Sequence, residues 1–258
     1  MPEQARRILL LIPTYNERDN VEALYGQIRA LTLDMDLLFV DDGSPDGTGD
    51  ILDAIAREDS RVRVAHRSGK QGVGSAHLFG IRRAYESGYD VLVTMDADLT
   101  HAPSLIPLFI ENADAASLVV GSRFLERTSL ADWNLLRRST TKFGHTLTRH
   151  LLGVPYDATG AFRLYRLDRI PQTSFEGITA TGYDFFFESL FVLCRRGVTV
   201  QEISIPLPKR HYGSSKMRAG DVLGAIAKLA RLGTRRWSVR AVSPARGPST
   251  TVSDTLRD

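Results

Sequence analysis

Three observations predict an α/β fold with a mostly parallel central sheet and helices on both faces. Through about the first 125 residues one plan recurs: an apolar, β-branched run, a loop rich in Gly, Asp and Pro, and a segment with helical spacing. Such alternation is the pattern of parallel strands joined by crossover helices. The composition, 43% hydrophobic and 24% charged over 258 residues, is that of a chain able to bury a sizeable core.

The predicted strands are RILLLIP, DLLFVDD, RVRVAHR, YDVLVTMDAD and ASLVVGSR, and helices are expected near 17–31, 46–58, 74–87 and 103–113. From 134 to 152 the pattern changes. NLLRRSTTKFGHTLTRHLLG sets Leu135, Leu136, Phe143, Leu147 and Leu151 on one side and Arg137, Arg138, Lys142, His145 and Arg149 around the rest, which is a basic amphipathic helix. A strand at GAFRLYR, a helix through YDFFFESLFVLCRRG, a strand at VTVQEISIPL and a second amphipathic stretch at 219–233 follow. Residues 234–258 lack periodicity, so a folded domain over 1–233 and a disordered basic and polar tail are expected.

The formal charge of +3 is too small to imply nucleic-acid binding, and none is expected. The single cysteine, Cys194, stands in the apolar LFVLCRRG and reads as a buried structural thiol in a reducing cytoplasm. Between Arg7 and Pro13 lie five apolar residues, too few for a signal-peptide core. No stretch reaches the roughly 18 apolar residues of a spanning helix.

In a parallel sheet ligands bind at the carboxyl ends of the strands. That rim is expected to carry Pro13, Tyr15, Asn16 and Glu17, then Asp41 and Asp42, then Lys70, then Asp96 and Asp98, and finally Arg123. Asp96 and Asp98 are two apart at the end of an extended run, so strand alternation turns both to one side. Paired carboxylates are hard oxygen ligands suited to Mg²⁺ or Mn²⁺, which could also coordinate a diphosphate. The plainer reading is that Asp98 caps a turn before the next helix. Gly43, Pro45, Asp46 and Gly47 read as turn residues, with Asp46 or Thr48 capping the helix. The adjacent carboxylates of Asp41 and Asp42 repel and neither is needed for that turn, so Asp42 above all is expected to accept hydrogen bonds from a ribose or base. Lys70, in SGKQGVG, can reach a phosphate.

PTYNE (13–17), DDGSPDGT (41–48), DADLTH (96–101), GSR (121–123), TGAFRLYR (159–166) and YGSSK (212–216), in this order and spacing, resemble the dolichyl- and polyprenyl-phosphate mannose synthases. These are inverting nucleotide-sugar glycosyltransferases of family 2 with a GT-A type fold. The resemblance covers residues 7 to 233 and implies a glycosyltransferase catalytic domain over 1–233. It implies that Pro13, Tyr15, Glu17, Asp42 and Lys70 bind the nucleotide, and that Asp96 and Asp98 bind metal and diphosphate. It further implies that Arg123, Arg137 and Thr141 cradle a lipid phosphate, while Arg210 and Lys216 close over the diphosphate. Asp96, Asp98, Arg123 and Arg137 are the implied catalytic set. Ala161 stands where the family usually has glycine, and Ala102 follows His101 where a second polar residue is common.

The implied reaction moves mannose from GDP-mannose to a polyprenyl monophosphate. The alternative is a glucosyl or N-acetylglucosaminyl transfer from a UDP-sugar, or transfer to a soluble hydroxyl. A processive polysaccharide synthase is disfavoured because Gly233 stands where Q-x-x-R-W needs glutamine. A catalytically silent nucleotide-sugar sensor would not need every charged rim position. TGYDFFFE lacks the T-E-D motif that commonly supplies a base in this fold. A phosphate monoester, with a second pKa of about 6, is itself a nucleophile at neutral pH and needs no base. Between 123 and 150 six Arg or Lys face two acids, so the basic helix either lies in a membrane interface or packs on the core with a solvated basic face. Peripheral attachment to the cytoplasmic face of a membrane is expected, with a membrane-embedded partner protein a possible reinforcement because one interfacial helix binds reversibly.

Overall fold

The computed structural model describes residues 6–126, 135–206 and 219–236, and for 135–143, 219–223, 225, 226, 235 and 236 it describes the backbone alone. The strands are β1 (Ile8–Thr14), β2 (Met35–Asp41), β3 (Val62–His66), β4 (Val91–Thr94), β5 (Leu118–Ser122), β6 (Arg163–Arg166) and β7 (Val200–Ser204). The helices are α1 (Arg18–Arg29), α2 (Thr48–Glu58), α3 (Val73–Glu86), α4 (Ile106–Asn112), α5 (Leu135–Leu152), α6 (Asp184–Arg195) and α7 (Ala219–Arg236). α4 is preceded by a short 3₁₀ turn at Pro103–Leu105, where proline suits the first helical positions.

The seven strands form one sheet in the order β3-β2-β1-β4-β6-β5-β7. β1, β2, β3 and β4 pair in parallel, as do β5 and β7, while β6 runs antiparallel to both β4 and β5. The chain winds outward from β1 through β2 to β3, then returns to lay β4 on the other side of β1. This reversal leaves a crevice at the carboxyl ends of β1 and β4.

Side-chain alternation divides the core into two layers. On one face Leu10, Ile12, Leu37, Phe39, Val91 and Val93 pack under Val21, Leu24 and Ile28 of α1, Leu52 of α2 and Phe109 of α4. On the other, Leu9, Leu11, Leu38, Val40, Leu92 and Tyr165 pack under α3, α6 and the ends of α5 and α7. α3 lies close over β1 because Gly80 faces Leu11: a Cβ there would sit 2.4 Å from the leucine Cδ2. Along the described half of α5, Leu152 is buried and Leu147 and Leu151 pack against the same core, so this stretch of the apolar face is taken by protein. α7 reaches Arg236, three residues past the expected boundary, and the expected tail beyond it lies outside the described residues. Cys194 is partly buried, and burial pushes its thiol up to about 12, which suits an inert packing residue.

Candidate active site

A cavity of about 370 Å³ opens at the crevice. Pro13, Thr14, Tyr15 and Glu17 enter it from the end of β1, Asp42 from β2, Lys70, Gly72, Val73 and Ala76 from the loop and first turn after β3, and Asp96, Ala97 and Asp98 from beyond β4. Thr181, Gly182 and Tyr183, which lead into α6, close the far wall. Seven residues singled out in four separate motifs thus line one space.

The β1 end is shaped by hydrogen bonds rather than by strand pairing. Asn16 takes a left-handed conformation (φ 54°), which asparagine tolerates, and its N–H donates to Ser44 Oγ at 3.0 Å. Glu17 donates its N–H to Thr48 Oγ1 at 2.9 Å and accepts from Asn20 Nδ2 at 2.7 Å, so it also anchors the start of α1. The Lys70 ammonium stands 4.5 Å from the Tyr15 ring centre, a cation–π contact that holds both at the mouth.

The expectation that neither Asp41 nor Asp42 is needed by its loop is corrected by the geometry. Asp41 is 2% exposed and accepts from the Ser44 N–H at 3.0 Å, from Ser44 Oγ at 2.5 Å and from Thr14 Oγ1 at 3.2 Å. It is the carboxylate that closes the turn. Asp42 lines the cavity, but its Oδ1 is paired with the Arg67 guanidinium and its Oδ2 accepts from the N–H groups of Gln71 and Gly72 at 3.1 Å each. Three accepted hydrogen bonds and the Arg67 ion pair take up most of the capacity of this carboxylate. Asp42 therefore shapes the loop that carries Lys70, and Arg67, buried beside it, is a residue that sequence reasoning missed. Asp46 caps as expected, accepting from Thr48 N–H at 3.0 Å and Thr48 Oγ1 at 2.6 Å.

Asp96 and Asp98 share the cavity, though not by strand alternation. Pairing of β4 with β1 and β6 stops at Thr94, so Asp96 sits in irregular backbone and Asp98 in the bend that follows it. Leu99 adopts φ 60°, a costly conformation for a leucine, and folds the segment back so that Asp98 Oδ1 accepts from Thr100 N–H at 3.2 Å and Thr100 Oγ1 at 2.5 Å. The Asp98 turn cap is thus real and coexists with a place on the cavity wall. Asp96 has its side chain 39% exposed, and its backbone N–H donates to Nδ1 of the buried His101 at 3.1 Å. Among the described residues no third His, Cys, Asp or Glu completes a metal cluster. Two carboxylates on a cavity of this size fit a divalent cation whose remaining ligands come from substrate oxygens and water.

Arg123, beyond β5, does not line the cavity, although the Asp96 charge acts on it. Its guanidinium grips Asp157, with Nε to Oδ2 and Nη2 to Oδ1 both at 2.8 Å, and also reaches Thr159. Asp157 is wholly buried. Burial would raise its carboxyl, but the Arg123 charge and hydrogen bonds outweigh that and hold it down at about 2. Glu202 of β7 accepts the Asp157 N–H at 2.6 Å, and burial raises its own carboxyl. The YDATG stretch carried this partner in view, but only pairing of β5 with β6 and β7 brings it to Arg123. Arg163 of β6 is fully buried and donates to the carbonyls of Gly160, Ala158 and Phe186 and to Ser189 Oγ, fixing the TGAF loop. The departure at Ala161 leaves that loop tied to the sheet, since its carbonyl accepts from Thr94 Oγ1 at 2.6 Å. Arg137 and Thr141 fall on α5 where the backbone alone is described, and Arg210 and Lys216 lie outside the described residues.

The strand-end crevice thus gathers paired carboxylates, a lysine and a docked glycine loop on an α/β sheet. Residues 10–170 match the family described as Glycosyl transferase family 2, and the chain belongs to that family. It is 39% identical to an undecaprenyl-phosphate mannosyltransferase of Micrococcus luteus over 90% of this chain and 96% of that protein. It is 37% identical to a polyprenol monophosphomannose synthase of Mycolicibacterium smegmatis over 89% of this chain and 88% of that protein. Among solved structures, a glucosyl-3-phosphoglycerate synthase of Mycobacterium tuberculosis shares the fold with a TM-score of 0.61 at 20% identity, covering 92% of this chain and 80% of the other. A mannosyltransferase of Pyrobaculum calidifontis, solved with GDP-Man and Mn²⁺, aligns with a TM-score of 0.51 at 16% identity over 92% and 75% of the two chains. The protein is a glycosyltransferase. No described helix is long and apolar enough to cross a membrane.

Proposed function

We infer that this enzyme transfers mannose from GDP-mannose to a polyprenyl monophosphate with inversion at the anomeric carbon, giving a polyprenyl phosphate mannose. The observation that carries the reading is the convergence of Pro13, Tyr15, Glu17, Asp42, Lys70, Asp96 and Asp98 on one cavity at the sheet's switch point. The names of the two relatives at 39% and 37% identity support the choice of sugar and acceptor.

Tyr15 and Glu17 line the nucleotide side, Asp42 holds the loop beneath it, and Lys70 meets the phosphates. Asp96 and Asp98 hold a divalent cation, Mg²⁺ or Mn²⁺, which when bound neutralises diphosphate charge as the leaving group departs. Arg210 and Lys216 are assigned to the same diphosphate. Arg123, kept charged by Asp157, and Arg137 and Thr141 on α5 are assigned to the acceptor phosphate, where guanidinium groups orient an anionic oxygen. That oxygen forms the new bond to the anomeric carbon as the bond to the diphosphate oxygen breaks and its electron pair leaves with GDP. No side chain is assigned as base. Asp184 and Glu188, which accept from backbone N–H groups of the far-wall segment, are both paired with Lys228. The basic residues of α5 suit peripheral attachment at the cytoplasmic face of a membrane, alone or with a membrane-embedded partner protein.

The test is product formation by the full chain with Mg²⁺ or Mn²⁺, radiolabelled GDP-mannose and polyprenyl phosphate. Mannolipid is expected. Turnover only with a UDP-sugar would replace the donor assignment, and no product with any polyprenyl phosphate would remove the lipid acceptor.

A further inference from the structure

Behind the far wall of the cavity stands a cation on a different helix. The Lys228 ammonium of α7 lies 2.8 Å from Glu188 Oε2, 3.1 Å from Asp184 Oδ2 and 3.3 Å from Thr179 Oγ1. Glu188, on α6, has its side chain only 4% exposed, so its charge needs a partner. The same carboxylate accepts from the N–H groups of Thr179 at 3.1 Å and Ala180 at 2.7 Å, the two residues just before Thr181. Asp184 turns its other oxygen to the Gly182 N–H at 3.1 Å. One lysine thus bridges both carboxylates that hold the wall segment from behind.

From the front the wall has no slack. The Thr181 carbonyl accepts the Ser75 N–H at 3.1 Å. A Cβ on Gly72 would lie 2.4 Å from that carbonyl oxygen, and one on Gly74 would lie 2.7 Å from the Gly182 oxygen. The wall therefore touches, backbone to backbone, the loop that Asp42 ties down and that carries Lys70. α7 is in turn seated by buried Leu229 and Leu232 and by Gly233 against the Leu151 carbonyl of α5. Contact runs without a break from α5 and α7, through Lys228, to the cavity.

We propose that Lys228 is a positioning residue for the donor cavity: by bridging Glu188 and Asp184 it sets the Thr181–Tyr183 wall, so that the seating of α7 governs nucleotide-sugar binding. This rests on the reading of the cavity as the nucleotide-sugar site. Lys228 does not line the cavity, and its effect passes through backbone atoms of 179–182.

The experiment measures GDP binding with Mg²⁺ by calorimetry, and kinetics with donor and acceptor varied separately, for full-length wild type, Lys228→Met, Lys228→Arg and Lys228→Met/Glu188→Gln, beside thermal unfolding. Lys228→Met is expected to weaken GDP binding and raise the donor KM by about tenfold with a smaller change in the acceptor KM. Lys228→Arg should recover most of the loss, and Glu188→Gln should recover part of it by removing the stranded charge. Unchanged GDP affinity and donor KM in Lys228→Met, whatever its unfolding temperature, would overturn the proposal. So would an arginine variant as impaired as the methionine one. Failure of the wild type to bind GDP would instead sink the donor-site reading, and this inference with it.

Discussion

Arg123 and Asp157 face each other as fork and carboxylate, two N–H···O contacts of 2.8 Å in a place where the aspartate has no exposed surface. The pair joins the end of β5 to the loop before β6 and gives the arginine a fixed direction near Asp96. Asp157→Asn should leave Arg123 partly buried without a counter-charge and cost about 3–5 kcal/mol. The Asp157 carboxyl sits at about 2 when folded, below its ordinary 3.8. Its contribution is therefore complete above pH 3.8 and is lost as pH falls toward 2, about 2 kcal/mol in all. Urea unfolding of wild type and variant at pH 5 and pH 2.5 reads this, and the gap between them should narrow at the lower pH.

His77 sets a second acid limit. Its ring is fully buried between Phe185 and Phe186, with Nδ1 on the Val73 carbonyl at 2.8 Å, and burial pushes it down from 6.5 to about 4. The folded protein holds it neutral while the unfolded chain takes up a proton, so stability present above pH 6.5 should decline as pH falls to about 4. The full effect is about 3 kcal/mol. His77→Phe should flatten the unfolding free energy across that window. An equally steep slope in the variant would assign the acid sensitivity elsewhere.

Arg67 and Lys70 stand on one loop but should behave oppositely. Arg67 and Asp42 have side chains only 8% and 7% exposed, so Arg67→Met should destabilise the fold by about 3 kcal/mol as well as weakening nucleotide binding. Lys70→Ala should leave the melting temperature within a degree or so and raise the donor KM alone, about tenfold, the scale of a lost charge-assisted contact. Paired calorimetry and kinetics decide the matter. A large drop in melting temperature for Lys70→Ala would make it structural.

For the carboxylate pair, Asp96→Asn and Asp98→Asn keep shape while removing charge, and in the second variant the side-chain amide oxygen can still accept from Thr100. Each should lower kcat on the order of 10²–10³-fold, and chelation should abolish turnover until Mg²⁺ or Mn²⁺ is restored. Full activity in chelated enzyme would refute the metal role.

Gly72 tests how closely the cavity wall is fitted. With φ at 96° and a Cβ position 2.4 Å from the Thr181 oxygen, Gly72→Ala should cost about 1–3 kcal/mol and shift the Lys70 loop. Reduced thermal stability together with weaker GDP binding is the expected result. A neutral substitution would show that the wall can retreat.

The alternation of apolar runs and helical segments by itself determined the α/β class, the positions of the strands and the rim on which polar groups would gather. Those follow from local periodicity and from the geometry of parallel sheets, which need no long-range information. Asp41 and Asp42 show where that reading stopped. Neither shows its partner in the sequence alone, but the fold buries one against Ser44 and the other against Arg67, because the β3–α3 loop comes back over the end of β2. Antiparallel insertion of β6 between β4 and β5 decided the same for Arg123, by bringing Asp157 to it from 34 residues away. Lys228 carried no local signal at all, sitting in an ordinary amphipathic helix far along the chain from its acids. A buried charge is assigned its partner by what the packing leaves within reach, and only the tertiary structure decides that.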